Sequence, residues 1–238
     1  MRWPFPGNRK FRMTQRSVIF DLDGTLIDSA PSILRSIEAT FCEAGIEPLV
    51  PLSVEMIGPP LEKVLTSLLG PERIERLPQL IECFKTHYDE VGFLETKIFD
   101  GVQQMLEQLN YSALKLYVAT NKRLVPTRLI IQHLGWDSFF EKLFTLDSYC
   151  RPANGKADML KRLSLDLREP TESMVYVGDR LEDAEAARSS QLPFVLVSWG
   201  YEKIIPPAFP NKIVNSPDEL LQQVIREGAA VSKNSVYD

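Results

Sequence analysis

Ser17-Val18-Ile19-Phe20-Asp21-Leu22-Asp23-Gly24-Thr25-Leu26-Ile27-Asp28-Ser29 is the stretch from which the rest of the chain can be read. Apolar and β-favouring residues run into Asp21, a second acid follows at Asp23, and Gly24-Thr25 turns the chain, which is the pattern of a buried strand ending in a tight loop. On a continuing strand, acids spaced i, i+2 share a face. The glycine instead lets Asp21 and Asp23 approach one small centre from different heights. A carboxylate pair at such a turn suits a hard cation, because Mg2+ takes oxygen ligands and is commonly held by one or two carboxylates plus a phosphate. Asp-x-Asp-Gly alone equally fits a solvated turn; the apolar strand before it and Thr25-Leu26 after it favour the chemical reading.

Past Ser29 the period changes. Pro31 suits a first helical turn, Ile33, Leu34, Ile37, Phe41 and Ala44 recur at helical spacing, and Gly45 closes the pattern. Two more helical stretches are expected, at about 61–69 and 72–91, separated by Gly70-Pro71, with no strand between Asp28 and Phe93. An all-helical insertion of this length directly behind a strand-end loop is too long for a loop. It reads as a second small domain, 30–93, lying over the mouth of the site, where closure would exclude water. From Phe99 onward strands and helices alternate, with strands expected at 114–119, 143–146, 174–177 and 194–197 and a last helix around 218–226. That alternation implies an α/β fold, a doubly wound parallel sheet covered on both faces and made of 17–29 and 94–238.

In such a sheet ligands bind outside the carboxyl ends of the strands, near the point where strand order reverses. Polar residues stand directly after apolar runs at Asp21, Thr120 and Gly178-Asp179, and Lys156 opens the helix between the strands expected at 143–146 and 174–177. Thr120 offers a hydroxyl, and the backbone after it offers amides, to oxygens gaining charge; Val-Ala-Thr-Asn-Lys also reads as a helix cap with solvated neighbours. Asp179 and Asp183, four residues apart, can both face a metal, one directly and one through a water or hydrogen bond.

The motif at positions 21–26, Asp-x-Asp-Gly-Thr-Leu, resembles the first motif of the haloacid dehalogenase-like superfamily of phosphotransferases. Thr120, Lys156 and the Gly178-Asp179-x-x-x-Asp183 run match its other three. Ile57-Gly58-Pro59-Pro60-Leu61 and Ser198-Trp199-Gly200-Tyr201 are similar to segments of its phosphoglycolate phosphatase-like branch. The resemblance implies a Rossmann-like core with a helical cap and Mg2+ as cofactor. It implies Asp21 as nucleophile, forming an aspartyl-phosphate, and Asp23 as general acid and base. It further implies Thr120, Asn121 and Lys156 around the phosphate, and Asp21, Asp23, Asp179 and Asp183 around the metal. Gly58, Pro59 and Lys122 are candidates for substrate contact; the 57–61 turn reads equally as a rigid corner. Two departures stand out. Ala157 replaces the proline common after the motif lysine, and Arg180 replaces a small hydroxyl residue, which bears on substrate selection.

The implied activity is a phosphomonoesterase acting on a small phosphorylated metabolite, with phosphoglycolate the first compound to try. A phosphosugar mutase uses the same motifs and is the enzymatic alternative; a phosphometabolite sensor is the non-catalytic one. A dehalogenase is disfavoured because Asp23 is present, and a phosphonatase because no cap lysine is identified in the family's position.

Composition is consistent with this. The 238 residues are 44% hydrophobic with a net charge of −5, which speaks against non-specific nucleic-acid binding. No apolar run is long enough for a bilayer and none near the start resembles a secretory signal, so a cytoplasmic protein without a membrane partner is expected. Residues 1–16 carry Arg2, Arg9, Lys10, Arg12 and Arg16 and no acid, and read as a basic extension. Cys42, Cys83 and Cys150 form no recognisable Cys/His cluster and are expected to be buried or incidental thiols. His87 and His133 are expected to be surface or core residues, and no phosphate-binding Gly-Lys-Ser/Thr loop or serine-hydrolase elbow is present. Nothing in the sequence specifies an oligomeric state.

Overall fold

The structure, a computed structural model, describes residues 17–229 of the 238. The expected basic extension, 1–16, and the last residues assigned to the core, 230–238, lie outside the described residues. In chain order the elements are β1 Ser17–Phe20, β2 Ile27–Asp28, α1 Ala30–Ala44, α2 Leu61–Leu69, α3 Leu77–Glu90, β3 Lys97–Ile98 and α4 Val102–Asn110. They continue with β4 Lys115–Thr120, α5 Leu124–His133, β5 Lys142–Thr145, α6 Lys156–Leu167, β6 Met174–Gly178, α7 Leu181–Ser189, β7 Phe194–Val197, β8 Lys212–Val214 and α8 Pro217–Ala229.

Six strands form one parallel sheet in the order β5-β4-β1-β6-β7-β8. β1 lies between β4 and β6, with Phe20 level with Val118 on one side and Val177 on the other. The chain builds outward from β1 to β5, then returns across the sheet to β6. The loops leaving β4 and β6 therefore part on either side of the loop leaving β1, and this opens the crevice. The two-residue side-chain period divides the core. Val18, Phe20, Val118 and Val177 point into one cluster with Met105, Leu106, Ile130 and Leu220 from α4, α5 and α8. Ile19, Tyr117, Ala119 and Tyr176 point into the other with Met159, Leu160 and Ala187 from α6 and α7.

Between β2 and β3 every regular element is helical. The apolar faces of α2 and α3, including Leu65, Leu68, Leu80 and Phe84, join the first of the two clusters and do not form a core of their own. Three features differ from the sequence reading. β2 and β3 pair antiparallel, Ile27 with Ile98, and clasp the two ends of the insertion; two residues each are too few to give a periodic signal. The helix expected from 72 begins as a 3-10 turn, Pro71–Arg76, in which Arg73 leaves helical geometry at φ −124°, and α3 starts at Leu77, where Pro78 has no N–H to pair. A sixth strand, β8, adds to the sheet edge beyond the four-residue β7. Among the described residues no helix is long and apolar enough to cross a membrane.

Candidate active site

β1 delivers Asp21 to the carboxyl edge of the sheet, where its amide still bonds to Val177 of β6 at 2.8 Å. Its two carboxylate oxygens are held separately. Oδ1 accepts the Leu22 N–H at 2.8 Å, and Oδ2 accepts Lys156 Nζ at 2.7 Å. The same lysine amine donates to Asp183 Oδ1 at 2.5 Å. Lys156 reaches both because it opens α6, directly behind Gly155 at φ 87°. Asp183 sits in the first turn of α7, where its Oδ2 accepts the Arg180 N–H at 3.0 Å and caps the helix. Asp179 is fully buried at the end of β6 and accepts Thr25 Oγ1–H at 3.3 Å and the Tyr201 N–H at 2.7 Å.

Oxygens of Asp21, Asp179 and Asp183 lie within 4.8 Å of one another. Asp21 and Asp183 share the Lys156 ammonium, Asp179 has only the Arg180 guanidinium, 4.0 Å from its Oδ2, and the electrostatics register the excess of negative charge. Burial pushes the Asp21 carboxyl up to about 6; Lys156 opposes this, and Asp183 and Asp23 reinforce it. Burial, then the charges of Asp183 and Asp21, push Asp179 up to about 8. Burial alone would lower Lys156, but Asp183 and Asp21 outweigh it and raise the amine well above its usual value. A hard divalent cation fits this group by charge and by donor type.

Glycines make the room. A Cβ on Gly24, which already requires φ +83°, would stand 2.4 Å from Asp179 Oδ2; on Gly178, 2.5 Å from Asp183 Oδ2; on Gly200, 2.3 Å from both Asp179 Cβ and the Gly24 carbonyl. In the sequence Gly200 stands out only as part of the Ser198–Tyr201 segment. The segment around it straps the loop that follows β1: Trp199 Nε1 donates to the Thr25 carbonyl at 3.0 Å, and Tyr201 Oη accepts the Ser29 and Ala30 amides at 2.9 and 3.0 Å.

Asp23 stands outside the three-acid group. Its Oδ1 accepts the Ser29 hydroxyl and pairs with Lys122 Nζ at 3.1 Å. Lys122 also donates to Tyr88 Oη of α3 at 3.0 Å, so the second motif acid is tied to the helical insertion through one amine. Burial opposes the Lys122 charge, yet Asp23 and Tyr88 raise its pKa. Thr120, buried at the end of β4, accepts the Lys122 N–H at 3.3 Å and makes no hydrogen bond to the acids. Asn121 turns away from them, and its Nδ2 donates to the Gly58 carbonyl at 2.9 Å. Gly58 and Pro59 line the cleft above Asp23, with Gly58 at φ +121°.

Arg180 crosses from the end of β6 to the same corner. Its Nη2 donates to the carbonyls of Ile57 at 2.5 Å, Val54 at 3.3 Å and Glu55 at 3.4 Å. Arg123 and Asp89 form a bidentate pair at 2.9 and 2.6 Å. The insertion is thus bound to the core at three points around the cleft.

Away from this site Cys42 and Cys150 are exposed and Cys83 half-buried, which leaves them incidental and not buried thiols. One expectation is corrected: Cys83 and His87, one helical turn apart on α3, meet Glu43 of α1, whose carboxylate lies 2.9 Å from His87 Nε2, so a Cys/His cluster does form, across two helices. His133 packs edge-on against Phe93.

The family described as haloacid dehalogenase-like hydrolase matches residues 18–197. The tyrosine-protein kinase PtkA of Mycobacterium tuberculosis is 33% identical over 77% of this chain, which spans 62% of that protein's length. A phosphoglycolate phosphatase of Aquifex aeolicus is 30% identical over 87% of this chain and 95% of its own. Among solved structures, a predicted phosphatase from Clostridium acetobutylicum superposes with a TM-score of 0.77 at 27% identity, covering 89% of this chain and 99% of the other.

Proposed function

This chain belongs to the haloacid dehalogenase-like hydrolase family, and from that premise we propose that it is a Mg2+-dependent phosphomonoesterase acting on a small phosphorylated metabolite in the cytoplasm. What carries the reading is a single amine, Lys156 Nζ, bonded to Asp21 and Asp183, which lie 135 and 27 positions away in the chain. That arrangement neutralises a buried carboxylate enough for an anionic substrate to approach it.

Asp21, Asp179 and Asp183 would hold the ion, which supplies positive charge to the phosphoryl oxygens and lessens repulsion between the two anions. Asp21 attacks phosphorus, the P–O bond to the alcohol breaks, and Asp23 gives its proton to the departing oxygen. Water then attacks the aspartyl-phosphate, passes a proton to Asp23, and leaves Asp21 free with inorganic phosphate released. Lys156 steadies the phosphoryl group, and Thr120 stands at the neighbouring strand end as a donor to it. Residues 17–29 and 94–238 act as the catalytic core and 30–93 as its cap, limiting access of water from above Asp23.

Relatives named as phosphoglycolate phosphatases support hydrolysis. The mycobacterial relative is named a tyrosine-protein kinase, and a phosphosugar mutase also passes the phosphoryl group to a hydroxyl. Phosphate release from para-nitrophenyl phosphate without an added acceptor separates these. Release with Mg2+, its loss with a chelator, and its loss in Asp21→Asn are expected. Turnover that requires a second alcohol would move the protein to the transferases.

A further inference from the structure

The cleft above Asp23 lies between the core loop 121–123 and the insertion, and its walls come from Ile33, Ile37, Met56, Leu61, Val64 and Phe84. Phe84 stacks on Tyr88, with ring centroids 5.4 Å apart and planes 13° from parallel. If Asp23 protonates the departing oxygen, as proposed above, the alcohol of the substrate occupies this side of the site. Its chemistry is therefore written in these walls.

Among the described residues lining the cleft the cations are Lys122 and Arg123, and each is already bonded to a side chain of the insertion. Lys122 is shared between Asp23 and Tyr88, and Arg123 is held in both arms by Asp89. One polar atom of the lining is buried without a partner, and it is an acceptor. Asn121 must present Nδ2 to the Gly58 carbonyl, which fixes the amide orientation and leaves Oδ1 unbonded. The site thus has a charged end, at Lys156 and the three acids, and a mainly apolar end whose two cations are already bonded to Tyr88 and Asp89 of the insertion.

We infer that the leaving alcohol is uncharged and mainly apolar, and that an anionic alcohol such as glycolate is selected against. The inference rests on the phosphatase reading and deepens it. It also departs from the substrate that the family resemblance suggests.

The test is kcat/KM of the Mg2+-loaded protein for methyl, ethyl, propyl and butyl phosphate beside 2-phosphoglycolate. Alkoxide leaving ability changes little along the alkyl series, so the series reads contact with the cleft. A rise of about fourfold per methylene is expected if each is fully buried, with butyl phosphate processed better than phosphoglycolate. In Leu61→Asn, a half-buried position at the start of α2, the dependence on chain length should flatten. A series without a rise, phosphoglycolate processed as well as or better than butyl phosphate, or an unchanged slope in Leu61→Asn overturns the apolar assignment while leaving phosphatase activity in place. Absence of hydrolysis for every ester, para-nitrophenyl phosphate included, overturns both.

Discussion

At Gly200 a methyl group would meet Asp179 Cβ and the Gly24 carbonyl at 2.3 Å, and neither is the free end of a flexible chain. Gly200→Ala should therefore cost about 1–3 kcal/mol of stability, the usual penalty for overpacking. It should also displace Asp179, so Mg2+-dependent phosphate release falls much further than the melting temperature does. Lys156→Met separates two roles, because it removes the amine that balances Asp21 and Asp183 without removing a carboxylate. Phosphate release should vanish while Mg2+ binding, followed by calorimetry, persists; loss of both would make the lysine a structural brace only. At this scale much of the site was legible. Asp21, Thr120 and Asp179 each end an apolar run, and a strand that stops at a polar residue announces itself locally. Gly200 and the direct membership of Asp183 in the acid group were not, since both depend on which distant loops come to lie against each other.

Between elements, Arg180 does what its sequence position gave no hint of. A small hydroxyl residue is common there in the family, and the substitution reads locally as a change in substrate selection. In the fold the guanidinium spans from the end of β6 to three carbonyls of the 54–57 turn, up to 126 positions away, and no local period encodes such a reach. Arg180→Ala should loosen that corner. The Ile57 amide, now bonded to the Val54 carbonyl at 3.0 Å, should exchange with deuterium faster, by a factor corresponding to the about 1.5–3 kcal/mol carried by charged hydrogen bonds. Arg180→Lys should restore little, because Nη1 also holds the Tyr201 carbonyl at 3.4 Å and a single ammonium cannot reach that carbonyl and the 54–57 turn together. Exchange unchanged from wild type would mean the insertion holds its corner without the arginine. The same limit explains β2, β3 and β8, whose two or three residues acquire strand geometry only from their partners. The alternation from β4 to β7, by contrast, was plain because both faces of those strands are buried.

For the molecule as a whole, the three carboxylates couple folding to metal and to pH. Burial, reinforced by the neighbouring acids, pushes the Asp21 carboxyl up to about 6 and the Asp179 carboxyl up to about 8, both above the ordinary value of 3.8. The folded state thus holds their protons more tightly than the unfolded chain does. That contribution to stability is complete below about 3.8 and is lost as pH rises through about 6 and then about 8. A Mg2+ ion bound among these carboxylates would have to displace those protons, so its stabilising effect would run the opposite way. The rise in melting temperature on adding Mg2+ should be larger at about pH 8 than at about pH 6; an equal or smaller rise would place the ion elsewhere. Rapid acid quenching of the Mg2+-loaded protein during turnover of para-nitrophenyl phosphate, followed by mass mapping of its peptides, bears most directly on the proposal that Asp21, at the end of β1, is the nucleophile. A phosphoryl group on Asp21, and none in Asp21→Asn, is the expected result; a phosphoryl group on another residue, or undiminished phosphate release from Asp21→Asn, would contradict it.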